Sequence, residues 1–293
     1  MDVRVRHFLV ILLIFIGIFS PPLTLAWVRG IYVTQPTLES TKTITYLIKN
    51  AKELGIDTFV IDFYTMRKQY RQNIALVKQN HIRYVARIVM FPYGALTEQV
   101  QSQAYLQKRY HQIMQAASLG ADEIQLDYIR YRKSRRASEQ NAKDIYQVIK
   151  QVKELLNGKG IKLQIDIFGV ASGKPSVHIG QNVQLFAPLL NAICPMVYPS
   201  HYEPFRYHAT RPYQTVYDSV IALRRQLKDF PDVKIYAYIE LYNYRYPLSR
   251  PAKVNYILEE MKAVRDAQAD GWYAWSAKNK YAILFSILRS RMK

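Results

Sequence analysis

The sequence predicts an α/β protein, a single (β/α)8 TIM barrel behind a short N-terminal segment. Three observations carry this expectation. Short β-rich runs recur eight times, each is followed by a stretch with helical spacing, and 293 residues leave room for one large domain and little else. A barrel of this kind takes roughly 250 residues, and strands alternating with helices favour parallel βαβ units.

Residues 1–26 come first. Arg4 and Arg6 precede an uninterrupted apolar run over residues 8–19, then Pro21, Pro22 and the small-residue site Thr24-Leu25-Ala26. That is the layout of a secretory signal. The run is shorter than the roughly 20 residues a spanning helix needs. Export to the periplasm or cell envelope is therefore expected, with retention as an inner-membrane anchor through residues 8–26 as the alternative. Residues 27–293 form the barrel domain.

The strand signals follow in order: VRGIYVT (28–34), TFVIDF (58–63), YVARIVMF (84–91), DEIQLDYI (122–129), KLQIDIFG (162–169), AICPMVYP (192–199), KIYAYIEL (234–241) and GWYAWSA (271–277). Between them, TKTITYLIKNAKELG, QAYLQKRYHQIMQAASLG, AKDIYQVIKQVKELLNGKG and PAKVNYILEEMKAVRDAQADG carry apolar residues at three- and four-residue steps. All four end on glycine, a common helix stop. An open doubly wound sheet is disfavoured because YVTQPTLES, after the first strand, has no glycine for a dinucleotide fingerprint. GVASGKPS (169–176) is one residue short of a P-loop and has Pro175 where Ser or Thr belongs.

Composition narrows the partner. With 41 Lys+Arg against 22 Asp+Glu the net charge is +19, which points to an anionic partner. Nucleic acid fits poorly with an export signal, and no nucleic-acid-binding motif is present. Cys194 is the only cysteine, so no intrachain disulfide forms; in AICPMVYP it reads as a small buried hydrophobe.

Barrel enzymes work at the C-terminal ends of their strands, so polar residues late in a strand pattern carry the most information. Asp62 ends strand two, Asp127 strand four, Asp166 strand five and Glu240 strand seven. Hydrolysis of a glycosidic bond needs two carboxyls flanking the scissile bond, one protonating the leaving oxygen and the other acting as nucleophile or base. Asp127, Asp166 and Glu240 are the catalytic candidates, and Asp62 a binding one. Asp57 and Asp122 begin their strands and read as turn residues on the opposite face. Arg87 interrupts a buried strand, where an unpaired cation is costly, so it is expected to meet Asp62 or Asp127, and it is a substrate-binding candidate with a purely structural ion pair as the alternative. Tyr128, Arg130, Tyr198, His201 and Tyr202 follow strands four and six and are candidates for substrate contact; Trp275 could stack on a sugar face. No His, Cys or Asp grouping has metal-ligand spacing, and neither a metal nor another cofactor is expected.

Several of these stretches, VRGIYVT, ARIVMF, GADEIQLDYIRY, IDIFG, IGQNVQLFAP, CPMVYPSHY and GWYAWSAKNKY, resemble in order a bacterial family called the putative glycosyl hydrolase domain. The resemblance spans nearly the whole exported part. It implies a sugar-active (β/α)8 barrel, with Asp127 and Asp166 in the family's two acidic strand motifs. Two departures stand out. YAYIELYNY replaces a Pro-Trp-Leu-Gln-like stretch at strand seven, putting Glu240 where an amide is expected, and IDFYTMRKQY keeps only Asp62 of an Asp-x-Lys-Asp pattern at strand two. RKSRR (132–136) replaces the proline expected after DYIRY and adds cations that could grip an acidic polysaccharide. The expected function is hydrolysis of an extracytoplasmic, acidic or neutral polysaccharide; a carbohydrate-binding barrel without catalysis is the alternative, and a binder of another polyanion a weaker one.

Overall fold

The computed structural model describes residues 27–242 and 244–291. The N-terminal segment, read as export signal or anchor, lies outside them. Eight strands form a closed parallel barrel: β1 (Val28–Val33), β2 (Thr58–Asp62), β3 (Arg83–Val89), β4 (Glu123–Asp127), β5 (Lys162–Phe168), β6 (Ala192–Met196), β7 (Lys234–Glu240) and β8 (Gly271–Trp275). Each pairs with the next, and β1 closes on β8 through Val28 opposite Gly271. All eight fall on the strand signals, trimmed at their ends by up to three residues, except that β3 starts one residue before its signal. Among the described residues no helix is long and apolar enough to cross a membrane.

Strand periodicity divides the side chains into two sets. Ile31 and Val33 on β1, Phe59 and Ile61 on β2, Ile124 and Leu126 on β4, and Ile235, Ala237 and Ile239 on β7 face outward into the main apolar core shared with the helices. Each fully buried aliphatic of this set contributes about 1.5–3 kcal/mol relative to exposure. The helices present complementary stripes. In the helix Thr41–Leu54 the stripe is Ile44, Leu47, Ile48, Ala51 and Leu54, and Ser40 caps its N-terminus by accepting from the Thr43 N–H. The helix Glu139–Leu155 buries Ile145, Val148, Ile149 and Val152 behind its Ser138 cap.

The other parity fills the barrel, and it is unusually polar. Val28, Val60 and Val85 pack with Cys194, Tyr236, Tyr238 and Tyr273. Gln125 donates to Gln164 Oε1 at 2.8 Å, Gln164 donates to Glu123 Oε2 at 2.8 Å, and Tyr238 reaches across from β7 to donate to Gln125 Oε1 at 2.9 Å. Gly30 allows this filling: a Cβ there would stand 2.4 Å from the Tyr273 ring. Cys194 is buried here, and burial pushes its thiol well above its ordinary value. At the base, Asp57, Asp122 and Asp270 accept backbone N–H groups of Arg29, Tyr84 and Ile235. The first two are turn residues on the face opposite the strand ends, as the strand pattern indicates.

Candidate active site

Asp62 and Arg87 face each other across β2 and β3, where they are register partners. Asp127 and Asp166 continue the same inward parity on β4 and β5. The four therefore converge at one rim. The Arg87 guanidinium pairs through Nη1 with Asp62 and through Nη2 with Asp127, and its Nε lies 3.8 Å from Asp166 Oδ2. All are buried; Asp127 is only 4% exposed. Burial opposes the charge on Arg87, yet Asp127, Asp62 and the other neighbours hold its pKa well above the ordinary value.

Each carboxyl has a distinct setting. Asp62 Oδ2 accepts from the Tyr32 hydroxyl and from the Tyr64 hydroxyl, the latter at 2.7 Å. Asp127 Oδ1 accepts the backbone N–H of Tyr128, whose φ of 52° puts a tyrosine in the left-handed region directly after the strand. Asp166 has no such support. Its Oδ1 and the Arg87 Nε are buried without a hydrogen-bond partner among the described residues. Burial, and then the negative charge of Asp127, raise the Asp166 carboxyl well above the carboxylate range against the opposing pull of Arg87. This is the desolvated, like-charge setting that keeps a carboxylic acid protonated.

Aromatic rings wall the cluster. Tyr32 stacks on Trp275 with centroids 4.0 Å apart, and the Arg87 guanidinium lies 5.3 Å from both rings. Tyr198 is buried beside them, its hydroxyl pushed up by burial and then by Asp166. Arg130 sits over the Phe168 ring at 4.6 Å and the Tyr128 ring at 5.3 Å, and it donates to the Tyr131 carbonyl at 2.8 Å. Burial lowers its pKa.

The remaining candidates stand apart from this cluster. Glu240 accepts from Ser200 Oγ at 2.7 Å, from the Ser200 N–H at 3.2 Å and from Tyr256 at 2.7 Å. Glu260, on the helix Arg250–Asp266, accepts the Glu240 N–H at 3.1 Å and is fully buried; burial and then Glu240 raise its pKa well above the ordinary value. His201 touches the same group, with Nδ1 3.6 Å from Glu240. Tyr202 turns its hydroxyl to Ser219 at 2.8 Å beneath the loop after β5. Reading of the sequence did not single out Tyr32, Tyr64, Ser200, Tyr256 or Glu260. For Tyr32 the signal was there: it shares the inward parity of Gly30 and comes late in β1, as Asp62 does in β2.

Among the described residues no group of three or more His, Cys, Asp or Glu is arranged to hold a metal ion. The basic stretch after Tyr131 is partly committed. Arg135 donates to Asn141 and Thr97 and stacks over Tyr131, while Lys133 lies 5.4 Å from the Phe168 ring.

Fold and rim together define a (β/α)8 barrel with an acidic C-terminal face. Residues 110–281, more than half of the chain, match the model of the family described as "Putative glycosyl hydrolase domain", and the chain belongs to that family. The match includes Asp127, Asp166 and Glu240; Asp62 and Arg87 precede it. No curated protein matches the chain. Among solved structures it is similar to the spore cortex-lytic enzyme SleL of Bacillus megaterium QM B1551 (TM-score 0.63, 11% identity, 90% of this chain and 74% of that one). It is also similar to a chitinase from Chromobacterium violaceum (TM-score 0.61, 10% identity, 90% and 99%). The Group IV chitinase of Ostrinia furnacalis gives the same TM-score, 0.61, at 10% identity over 90% and 99% of the two chains. At such identities the likeness is one of fold.

Proposed function

We propose that this protein hydrolyses glycosidic bonds in an extracytoplasmic polysaccharide, with Asp166 as the proton donor and Asp127 as its charged partner. The observation that carries the reading is the unequal setting of these neighbouring carboxyls. Asp166 is buried, unsupported by donors and pushed toward its protonated form, whereas Asp127 is ion-paired with Arg87. Neighbouring carboxyls in such unequal settings supply the acid and the base or nucleophile of glycoside cleavage. Trp275 and Tyr32 offer a stacking wall for the sugar, Tyr128 and Tyr198 flank it, and the net charge of +19 favours an acidic polymer. Family membership and the likeness to SleL and the chitinases support the class of reaction.

A second reading is favoured by one observation: Arg87 already occupies the space between three buried carboxyls. A barrel held in this state would bind sugars on its aromatic rim without cleaving them.

The deciding experiment is reducing-end release by the full chain over acidic and neutral polysaccharides, including chitin and spore cortex preparations. Asp127→Asn and Asp166→Asn are run alongside, with thermal unfolding as the control for folding. Release that Asp166→Asn lowers by about 100-fold or more is the expected result for loss of a general acid. Binding without release in all three proteins selects the second reading.

A further inference from the structure

At the base of the barrel, opposite the acidic rim, lies a cavity of about 440 Å³. Arg29 enters it from β1, Arg265 from the last turn of the helix Arg250–Asp266, and Arg291 from just beyond the helix Ala282–Ser290. Met261 and Trp272 provide an apolar floor, and Trp27 stands at its edge. Helix C-termini favour cations, which accounts for Arg265 and Arg291 individually. It does not account for Arg29, on a strand, nor for the convergence of all three.

None of the three pairs with a carboxylate among the described residues. The neighbouring acids are engaged elsewhere: Asp266 with Lys262, Asp270 with Arg224 and Lys234, and Asp57 with the Thr58 hydroxyl and the Arg29 N–H. Gly55 keeps the wall open. It ends the helix Thr41–Leu54 with φ of 68°, and a Cβ there would lie 3.2 Å from Arg29 Nη1. Unpaired guanidinium forks beside an apolar floor suit a ligand with a phosphate at one end and hydrocarbon at the other. The position fits as well, because the apolar run of residues 8–19 lies shortly before Trp27 in the sequence, and tryptophan is favoured at membrane–water boundaries.

We propose that this cavity binds the phosphodiester headgroup of an anionic glycerophospholipid, seating the barrel base-down on a membrane surface with its acidic rim turned away. The inference is independent of the rim's chemistry.

The test uses the full chain in an uncharged detergent, titrated with dihexanoyl phosphatidylglycerol, dihexanoyl phosphatidylcholine or inorganic phosphate, and followed by tryptophan emission and calorimetry. The glycerol lipid is expected to bind about tenfold or more tightly than the choline lipid. Combined Arg29→Gln, Arg265→Gln and Arg291→Gln should remove at least about tenfold of that affinity, since a single charge-assisted hydrogen bond to phosphate is worth a similar factor. Arg291→Gln alone, at an exposed position, should weaken binding severalfold and serves if the triple variant does not fold. Equal affinity for the two lipids, or arginine variants that bind as the wild type does, would overturn the proposal. Inorganic phosphate binding as tightly as the glycerol lipid would overturn the lipid assignment in favour of a free anion.

Discussion

The acidic rim is built in two halves that solve the same problem differently. On the β2–β5 side, three buried carboxyls surround one guanidinium, Arg87. On the β7 side, Glu240 and Glu260 are buried with hydroxyls, backbone N–H groups and the His201 imidazole, 3.6 Å from Glu240, as neighbours, and burial and Glu240 raise the Glu260 pKa. The first half balances Asp62 and Asp127 with a cation and leaves Asp166 pushed toward its protonated form; the second relies on neutral donors and, at Glu260, on a raised pKa. A guanidinium holds its charge at every accessible pH, whereas a proton comes and goes. The Asp62–Arg87–Asp127 arrangement should therefore be set by ion-pair geometry, whereas Asp166 in the first half and Glu260 in the second should respond to acidity.

Replacing the cation gives the largest expected effect. Arg87→Met leaves Asp62 and Asp127 buried without their partner, and a loss of about 3–5 kcal/mol is expected at neutral pH from such a broken pair. Urea unfolding measures it. Adding Asp127→Asn should recover part of the loss, and a single variant within about 1 kcal/mol of wild type would erase the distinction between the halves.

In the β7 half the donors can be removed one at a time. Ser200→Ala takes away the hydroxyl that donates to Glu240 Oε2 at 2.7 Å. About 1.5–3 kcal/mol is expected for a hydrogen bond to a charged group, read from the same unfolding curves.

The smallest effect at acid pH is expected from Glu260→Gln, and it should grow in a defined direction. A buried carboxyl with a raised pKa contributes stability that is complete below the unfolded value of about 4.3 and is lost as pH rises through the folded value. The glutamine variant has no such loss. Melting temperatures of variant and wild type should coincide near pH ~4 and diverge above it, the variant being the more stable. Parallel profiles would show that Glu260 does not respond to acidity.

The two halves also differed in how well the sequence announced them. Asp62, Arg87, Asp127 and Asp166 lie on strands, where a period of two and the shared strand ends place them together, and a cation in a buried strand implied a carboxylate partner. Glu240 obeys the same parity, yet as the last residue of β7 its carboxylate turns to Ser200 after β6 and Tyr256 on the following helix. No periodicity carries that information, because both partners belong to packing between separated segments. Tyr202 shows the same limit. It sits two residues from Ser200, but its hydroxyl goes to Ser219 and its ring lies where a Cβ on Gly169 would collide with it.

The closure of the barrel has a consequence for its connectivity. Val28 pairs with Gly271, Arg289 on the last helix binds Glu53 at 2.6 Å, and Trp27 and Arg291 line one cavity. Two points so far apart in sequence and so close in space can be joined by a short linker, the situation in which circular permutation succeeds. A gene re-cut to run from residue 291 into residue 27, with new ends in the exposed loop 132–138, would keep every strand pairing of the barrel.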